Sequence, residues 1–175
     1  LLPEIPGVPL LNQGNFADKK YDNICYVLKD GKKVDAACNA PGATKWDIKA
    51  KGCVLVDAVM VLQYHGVTVG EDSKPVTVEN LDAWLSDHGG YNWDGGLDLR
   101  KLNKYSNKKV SLSVAGANND TLRNSLCSLG PVIIPVNSPS TGAPGHHSVV
   151  AIGRDDPVNP TTWKVNDPDG GIVTT

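Results

Sequence analysis

One continuous apolar run stands out in the chain, between Lys51 and Gly66. It is long enough for a buried helix and predicts one over residues 53–65, with Gly66 as the C-terminal cap. Gly52 loosens the chain just before the first turn, which leaves Cys53 at the helix N-terminus. Unpaired backbone N–H groups and the positive end of the helix dipole stabilise a thiolate at that position. Cys53 is therefore a candidate nucleophile, with a small buried core residue as the alternative.

Apolar residues spaced three and four positions apart predict further helices. The clearest of them starts near Thr77 and is stopped by Gly89-Gly90. A short helix is expected within residues 98–105, and a longer one over residues 120–129, which Gly130 caps. Together with the first helix, these segments predict helical structure through much of the chain.

Strand patterns are concentrated in the last third of the sequence. The alternation in residues 110–114 predicts a strand with one buried face. Runs rich in β-formers follow at 131–136, 148–153 and 163–167, and a turn is expected at 168–171. Because helices come first and strands second, the order favours an α+β fold with an antiparallel sheet.

Composition adds constraints on size and partners. The 175 residues, 40% of them hydrophobic and 21% charged, suit one domain with a sizeable core. A net charge of −2 and a pI near 6.1 favour neither nucleic acid nor an anionic membrane as partner. No apolar run approaches the roughly 20 residues that cross a bilayer. The N-terminus does not resemble a signal peptide, which a mature secreted chain would have lost.

The four cysteines show no metal-ligand spacing, so neither a metal nor a cofactor is expected. Cys25 and Cys38 flank a turn pattern at residues 29–32 and predict a local disulfide, which requires an oxidising compartment. The even count fits two disulfides equally well. If Cys53 is a working thiol, Cys127 should be reduced and buried.

A base and an orienting group occur near the C-terminus. His146 and His147 stand just before the strand at 148–153, and alternation lets only one of them face a site between sheet and helix. Asp167 ends the next strand, which could bring its carboxylate close to that histidine. With Cys53 these residue types supply a nucleophile, a base and an orienting group.

An acyl-transfer site also needs two donors for the oxyanion. The backbone N–H of Cys53, at the start of its helix, is one candidate. The second should be a side-chain amide, for which Gln13 is the candidate on an otherwise irregular, proline-rich segment.

Five sequence features occur together in the order that a known family shows. They are Gln13 after Val8-Pro9-Leu10-Leu11, Gly52-Cys53 opening an apolar helix with Met60 and a Tyr64–Gly66 end, Gly130-Pro131-Val132-Ile133, the stretch from Gly145 to Gly153, and Val165-Asn166-Asp167-Pro168. Together they resemble the papain-fold cysteine peptidases related to the bacteriocin (double-glycine) leader peptidases, in their stand-alone branch. The resemblance covers residues from about 8 to 170, except for an insert at roughly 21–45.

This resemblance implies a single papain-like domain over residues 1–175, with N-terminal helices packed on a C-terminal antiparallel sheet. It implies Cys53 as nucleophile, His147 as base, Asp167 as orienting group and Gln13 as oxyanion donor. His147 is preferred to His146 because the family's histidine precedes its strand glycine by the spacing from His147 to Gly153. The expected protein is a bacterial thiol hydrolase, secreted, periplasmic or on the cell surface, that cleaves a peptide or amide bond.

The residues after Cys53 depart from the family pattern, which usually has Gly-Pro and then a small hydroxyl residue. Here Val54 is expected to narrow the cleft, and Asp57 to raise the pKa of Cys53 by like-charge repulsion. These departures keep open a catalytically inactive peptide-binding or adaptor relative. An acyl- or peptidyl-transferase is a third possibility, because it would share the acyl-enzyme.

Overall fold

The computed structural model describes residues 4–92, 96–116, 118–137, 147–154, 162–170 and 172–174. Their elements are, in chain order, a 3₁₀ helix (Gln13–Phe16), β1 (Lys20–Lys29), β2 (Lys32–Ala36), β3 (Thr44–Asp47), α1 (Ile48–Lys51), α2 (Cys53–Tyr64), α3 (Val78–Asp87), α4 (Lys101–Tyr105), α5 (Asn119–Leu129), β4 (Val132–Val136), β5 (His147–Arg154), β6 (Trp163–Asp167) and β7 (Ile172–Thr174). The predicted α+β class is confirmed.

The first sheet is built around a hairpin and has the strand order β2-β1-β3, all antiparallel. Asp30 and Gly31 form the hairpin turn with φ of 50° and 75°, the left-handed conformation that two-residue turns require. The predicted disulfide joins Cys25 to Cys38 across this sheet. The third strand, β3, was not predicted, because its short pattern contains few apolar residues.

The second sheet has the order β4-β5-β6-β7 and is also antiparallel. The patterns at 131–136, 148–153 and 163–167 correspond to β4, β5 and β6, so these three predictions are confirmed. Strand β5 lies between two neighbours, and its residues from His147 to Gly153 are buried. This explains why its sequence is almost continuously apolar.

Helix α2 forms the centre of the core. Its apolar residues from Leu55 to Met60 are buried, and so is Leu62. The helix packs against β5 and β4 on one side and against α3 on another, which explains why it is apolar all round. Each buried aliphatic side chain contributes about 1.5–3 kcal/mol relative to exposure.

The other predicted helices form with small changes in their bounds. The helix predicted to start near Thr77 is α3, and the Thr77 side chain caps it by accepting a hydrogen bond from the backbone N–H of Asn80. Helix α4 is shorter than the predicted segment, and α5 begins one residue earlier than expected. Among the helices in the described ranges, none is long and apolar enough to span a bilayer.

The strand predicted at 110–114 is wrong. Val110 is only partly buried and residues 111–116 are exposed, and the stretch pairs with no strand among the described residues. The side chains of Ser106 and Asn103 instead hydrogen-bond the backbone N–H and C=O of Val110. Alternation describes a strand's two faces, but a strand also needs a neighbouring edge.

The prediction for Cys127 is half correct. It lies outside the disulfide, but it is exposed rather than buried. Helix α5 buries only Leu126 fully against the sheet, and the next residue points about 100° further round the helix. A one-sided helix therefore turns the thiol toward solvent.

Removing the disulfide should destabilise the protein. Replacing Cys25 and Cys38 together by serine opens a loop with a sequence separation of 13 residues. For a loop of this size the unfolding free energy should fall by about 3 kcal/mol. Urea unfolding under non-reducing conditions measures the change. Cys127→Ser is the matched control and should leave the midpoint nearly unchanged; an equal loss in both variants would contradict the prediction.

Candidate active site

Cys53 stands at a sharp junction between two helices. Gly52 both ends α1 and precedes α2, and its backbone N–H donates a hydrogen bond to Ile48 O at a distance of 2.6 Å. Its φ of −84° is open to any residue, so conformational freedom is not the reason for glycine here. A Cβ at this position would lie 2.3 Å from Ile48 O. Glycine is required because the backbone carbonyl group of Ile48 lies too close to this position for a side chain to fit.

His147 and Asp167 meet at one end of the second sheet. Val150 pairs with Asn166, so the start of β5 lies beside the end of β6. His147 Nε2 is 2.7 Å from Asp167 Oδ1, and the two side chains are only 8% and 15% exposed. Asp167 Oδ1 also accepts the backbone N–H of Asp169 at 2.8 Å. The carboxylate thereby fixes the ring orientation and leaves Nδ1 for another partner.

Cys53 interacts with the same imidazole ring. Hydrogen bonding with Cys53 makes the largest contribution to a rise in the pKa of His147 to about 9; burial opposes this rise and Asp167 adds to it. Burial raises the pKa of the Cys53 thiol, but interactions with His147 and Ser148 outweigh burial and leave that pKa below its ordinary value. The two opposite shifts each favour the charged form, and therefore a thiolate–imidazolium pair.

Gln13 lies between the helical part of the site and the sheet. It is 8% exposed and opens the 3₁₀ helix, where its backbone N–H donates to Pro168 O at 2.9 Å. Its Nε2 donates to Lys49 O at 2.8 Å, which directs one amide hydrogen to α1 rather than to Cys53 or His147. The amide carries a second hydrogen, which that bond does not use.

The expected effect of Asp57 on Cys53 is wrong, and the reason is burial. Asp57 is 0% exposed, one turn beyond Cys53 on α2, and no described atom hydrogen-bonds either carboxyl oxygen. Burial raises the pKa of Asp57 well above its usual range, and the nearby Cys53 acts in the same direction. Burial therefore favours the neutral carboxyl group, and the pKa of Cys53 is lowered rather than raised.

Ser148 is a site residue that the sequence analysis missed. It is 4% exposed, and its side chain and backbone N–H lie close enough to Cys53 to lower the pKa of the thiol. Its position directly after the predicted histidine, on the strand face opposite to it, was the available signal. His146, the other histidine considered, lies outside the described residues.

Among the described residues the candidate site contains no metal-ligand cluster, and it is separate from the recess beside the disulfide. In the described ranges, His, Cys, Asp and Glu side chains form no group of three that could hold a metal ion. A recess of about 950 Å³ lies beside the disulfide, where Cys25, Asp35 and Tyr91 are among its lining residues. None of the four residues predicted for catalysis lines that recess.

Compared with known proteins, the chain matches no protein-family model, no curated protein and no solved structure. The papain-like fold and the relationship to leader peptidases therefore stay predictions. What the structure establishes is an α+β fold in which Cys53, His147 and Asp167 come together from α2, β5 and β6.

Replacing Gly52 by alanine should disturb the site selectively. The added methyl group would meet the backbone of Ile48, so the turn before Cys53 must shift. We expect a loss of about 1–3 kcal/mol in unfolding free energy and slower alkylation of Cys53 by iodoacetamide. Gly116→Ala is the control, because its nearest neighbouring atom would be 3.8 Å from the new Cβ. Equal behaviour of the two variants would rule out the close approach at Gly52.

Proposed function

We propose that the protein is a thiol hydrolase, a cysteine peptidase of papain-like fold, that cleaves a peptide or amide bond through an acyl-enzyme on Cys53. The single observation that carries the proposal is the convergence of Cys53, His147 and Asp167 from three separate elements. Asp167 holds Nε2 of the imidazole, and the same ring interacts with the thiol. This is the order of contacts that a nucleophile, a base and an orienting group require.

The first half of the reaction uses the ion pair. The Cys53 thiolate attacks the carbonyl carbon, and the carbonyl oxygen becomes an oxyanion. The backbone N–H of Cys53, free of an intrahelical partner at the start of α2, donates to that oxygen, and Gln13 Nε2 supplies the second donor. The His147 imidazolium then protonates the leaving amine, and an acyl-enzyme remains on sulfur.

The second half releases the acyl group. Neutral His147 takes a proton from water, and the resulting hydroxide attacks the thioester carbon. The C–S bond breaks and the thiolate returns, paired again with the imidazolium. Asp167 keeps the ring in place throughout, and its charge stabilises the imidazolium without taking up the proton.

The disulfide supports a location outside the reducing cytosol. Disulfides persist in oxidising compartments, and the Cys25–Cys38 bond fits secretion, the periplasm or the cell surface. A peptide or protein substrate in such a compartment is the partner that this proposal implies.

Selective labelling of Cys53 tests the activated thiol. In a Cys127→Ser background, which removes the other free cysteine, iodoacetamide should alkylate the protein at pH 6 several-fold faster than it alkylates free cysteine, because more of the thiol is ionised. Cys53→Ala should abolish labelling, and mass spectrometry measures both. His147→Ala should remove the rate advantage, whereas His65→Ala, the matched control, should keep it. A wild-type rate no higher than that of free cysteine would sink the proposal.

The pH dependence of amide cleavage tests the base. Below the lowered pKa of Cys53 the thiol is protonated, so kcat/KM should rise with pH until the thiolate is formed. Near pH 9 His147 loses its proton and can no longer protonate the leaving amine, so kcat/KM should fall again. A mixed-sequence library of peptidyl-aminomethylcoumarins is the substrate. Asp167→Asn should move the alkaline limb to lower pH; a rate that keeps rising beyond pH 10 is incompatible with this assignment.

A further inference from the structure

A buried polar pair beneath Cys53 is left unexplained by the triad. Asp57 is 0% exposed and Ser148 is 4% exposed. No described atom stands in full hydrogen-bonding geometry with the Asp57 carboxyl oxygens or with Ser148 Oγ. Leaving a buried polar group without a partner costs about 1–3 kcal/mol, so two such groups side by side in the core call for a functional reason.

The two residues face each other across the contact between helix and sheet. Asp57 lies one turn after Cys53 on α2, on the same side of the helix. Ser148 follows His147 on β5 and shares a strand face with Val150 and Ile152. Those two residues belong to the core cluster that contains the buried face of α2.

Ser148 stands between Asp57 and the thiol. Its side chain lies close enough to both Asp57 and Cys53 to lower the pKa of each group. The groups that act on Asp57 are therefore Ser148, Cys53, His147 and Asp167. Burial opposes a charge on Asp57 most strongly, and Cys53 and Asp167 oppose it as well. Ser148 and His147 favour the charge, but the pKa of Asp57 still lies well above its usual range.

We propose that Asp57 is a positioning residue for the nucleophile: its neutral carboxyl O–H donates to Ser148 Oγ, and the Ser148 O–H donates to the Cys53 thiolate. The inference rests on the proposed function and adds a second, buried support for the thiolate, opposite to the one that His147 and Asp167 provide. Only the neutral acid can serve, because an ionised carboxylate has no proton to donate and would repel the thiolate.

The experiment measures Cys53 alkylation by iodoacetamide from pH 4 to pH 9 in the Cys127→Ser background. Ser148→Ala and Asp57→Ala should each alkylate about tenfold more slowly at pH 6, because the thiolate loses a charge-assisted hydrogen bond. Asp57→Asn should stay within about twofold of the parent rate, because its amide N–H replaces the lost O–H donor. Above the thiol pKa all four proteins should converge, since thiolate formation is then complete.

Asp82→Asn is the matched control. Asp82 is also buried, at 3% exposure, but its carboxylate accepts hydrogen bonds from the Tyr91 hydroxyl and the backbone N–H of Asp22, neither of which belongs to the candidate site. Its replacement should leave the alkylation profile unchanged. Thermal unfolding checks that each variant is folded, and if Asp57→Ala is not, Ser148→Ala and Asp57→Asn decide.

Each remaining outcome overturns a defined part of the inference. Faster alkylation of Asp57→Asn at acidic pH would mean that the native carboxyl group is charged. A parental profile in Ser148→Ala would mean that the pair only fills the core. An activated parental thiol with unaffected variants removes this inference and leaves the proposed function standing, whereas a parental thiol no faster than free cysteine removes both.

Discussion

The contact between α2 and β5 carries both the core and the candidate site. Val56, Val59 and Met60 on the helix belong to the same buried cluster as Val150 and Ile152 on the strand. Protein interiors are packed as densely as organic crystals, so the helix cannot slide along the strand without opening cavities. Cys53 begins that helix and His147 begins that strand. The packing of apolar side chains therefore sets the position of the two polar ones.

The electrostatics at this end of the core form one coupled system. A buried charge is costly unless another charge or a hydrogen bond compensates it. Here the charged forms of Cys53, His147 and Asp167 would alternate in sign, and the side chains of His147 and Asp167 are only 8% and 15% exposed. Asp57 lies on the buried side of the same system, and no described atom hydrogen-bonds its carboxyl oxygens. Burial raises the pKa of Asp57 well above its usual range and so favours the neutral carboxyl group.

The first sheet also supports the approach to Cys53. Strand β3 runs directly into α1, and α1 leads through Gly52 to the nucleophile. Lys51, at the end of α1, forms an ion pair with Asp35 of β2. The backbone carbonyl oxygen of Lys51 accepts a hydrogen bond from the Tyr21 hydroxyl at 3.0 Å. Trp46 donates to the same Asp35 carboxylate at 2.8 Å. The hairpin with its disulfide thus holds the segment that precedes Cys53.

The local pattern of residues was sufficient to predict those elements whose own periodicity shows which face is buried. It determined α2, α3, α5, the hairpin and the strands β4 to β6, and it made candidates of Cys53, Asp167 and Gln13. The choice of His147 over His146 rested on the family resemblance. Only the tertiary structure decided features that depend on a second surface. Residues 110–114 alternate like a strand but have no neighbouring edge, and Cys127 lies on the side of α5 that faces solvent. In the sequence Asp57 is an ionisable residue near the helix start, yet burial favours its neutral form. Ser148 lies close to Cys53 only because β5 packs against α2. Periodicity describes one segment at a time, whereas burial, pairing and protonation depend on what packs against it.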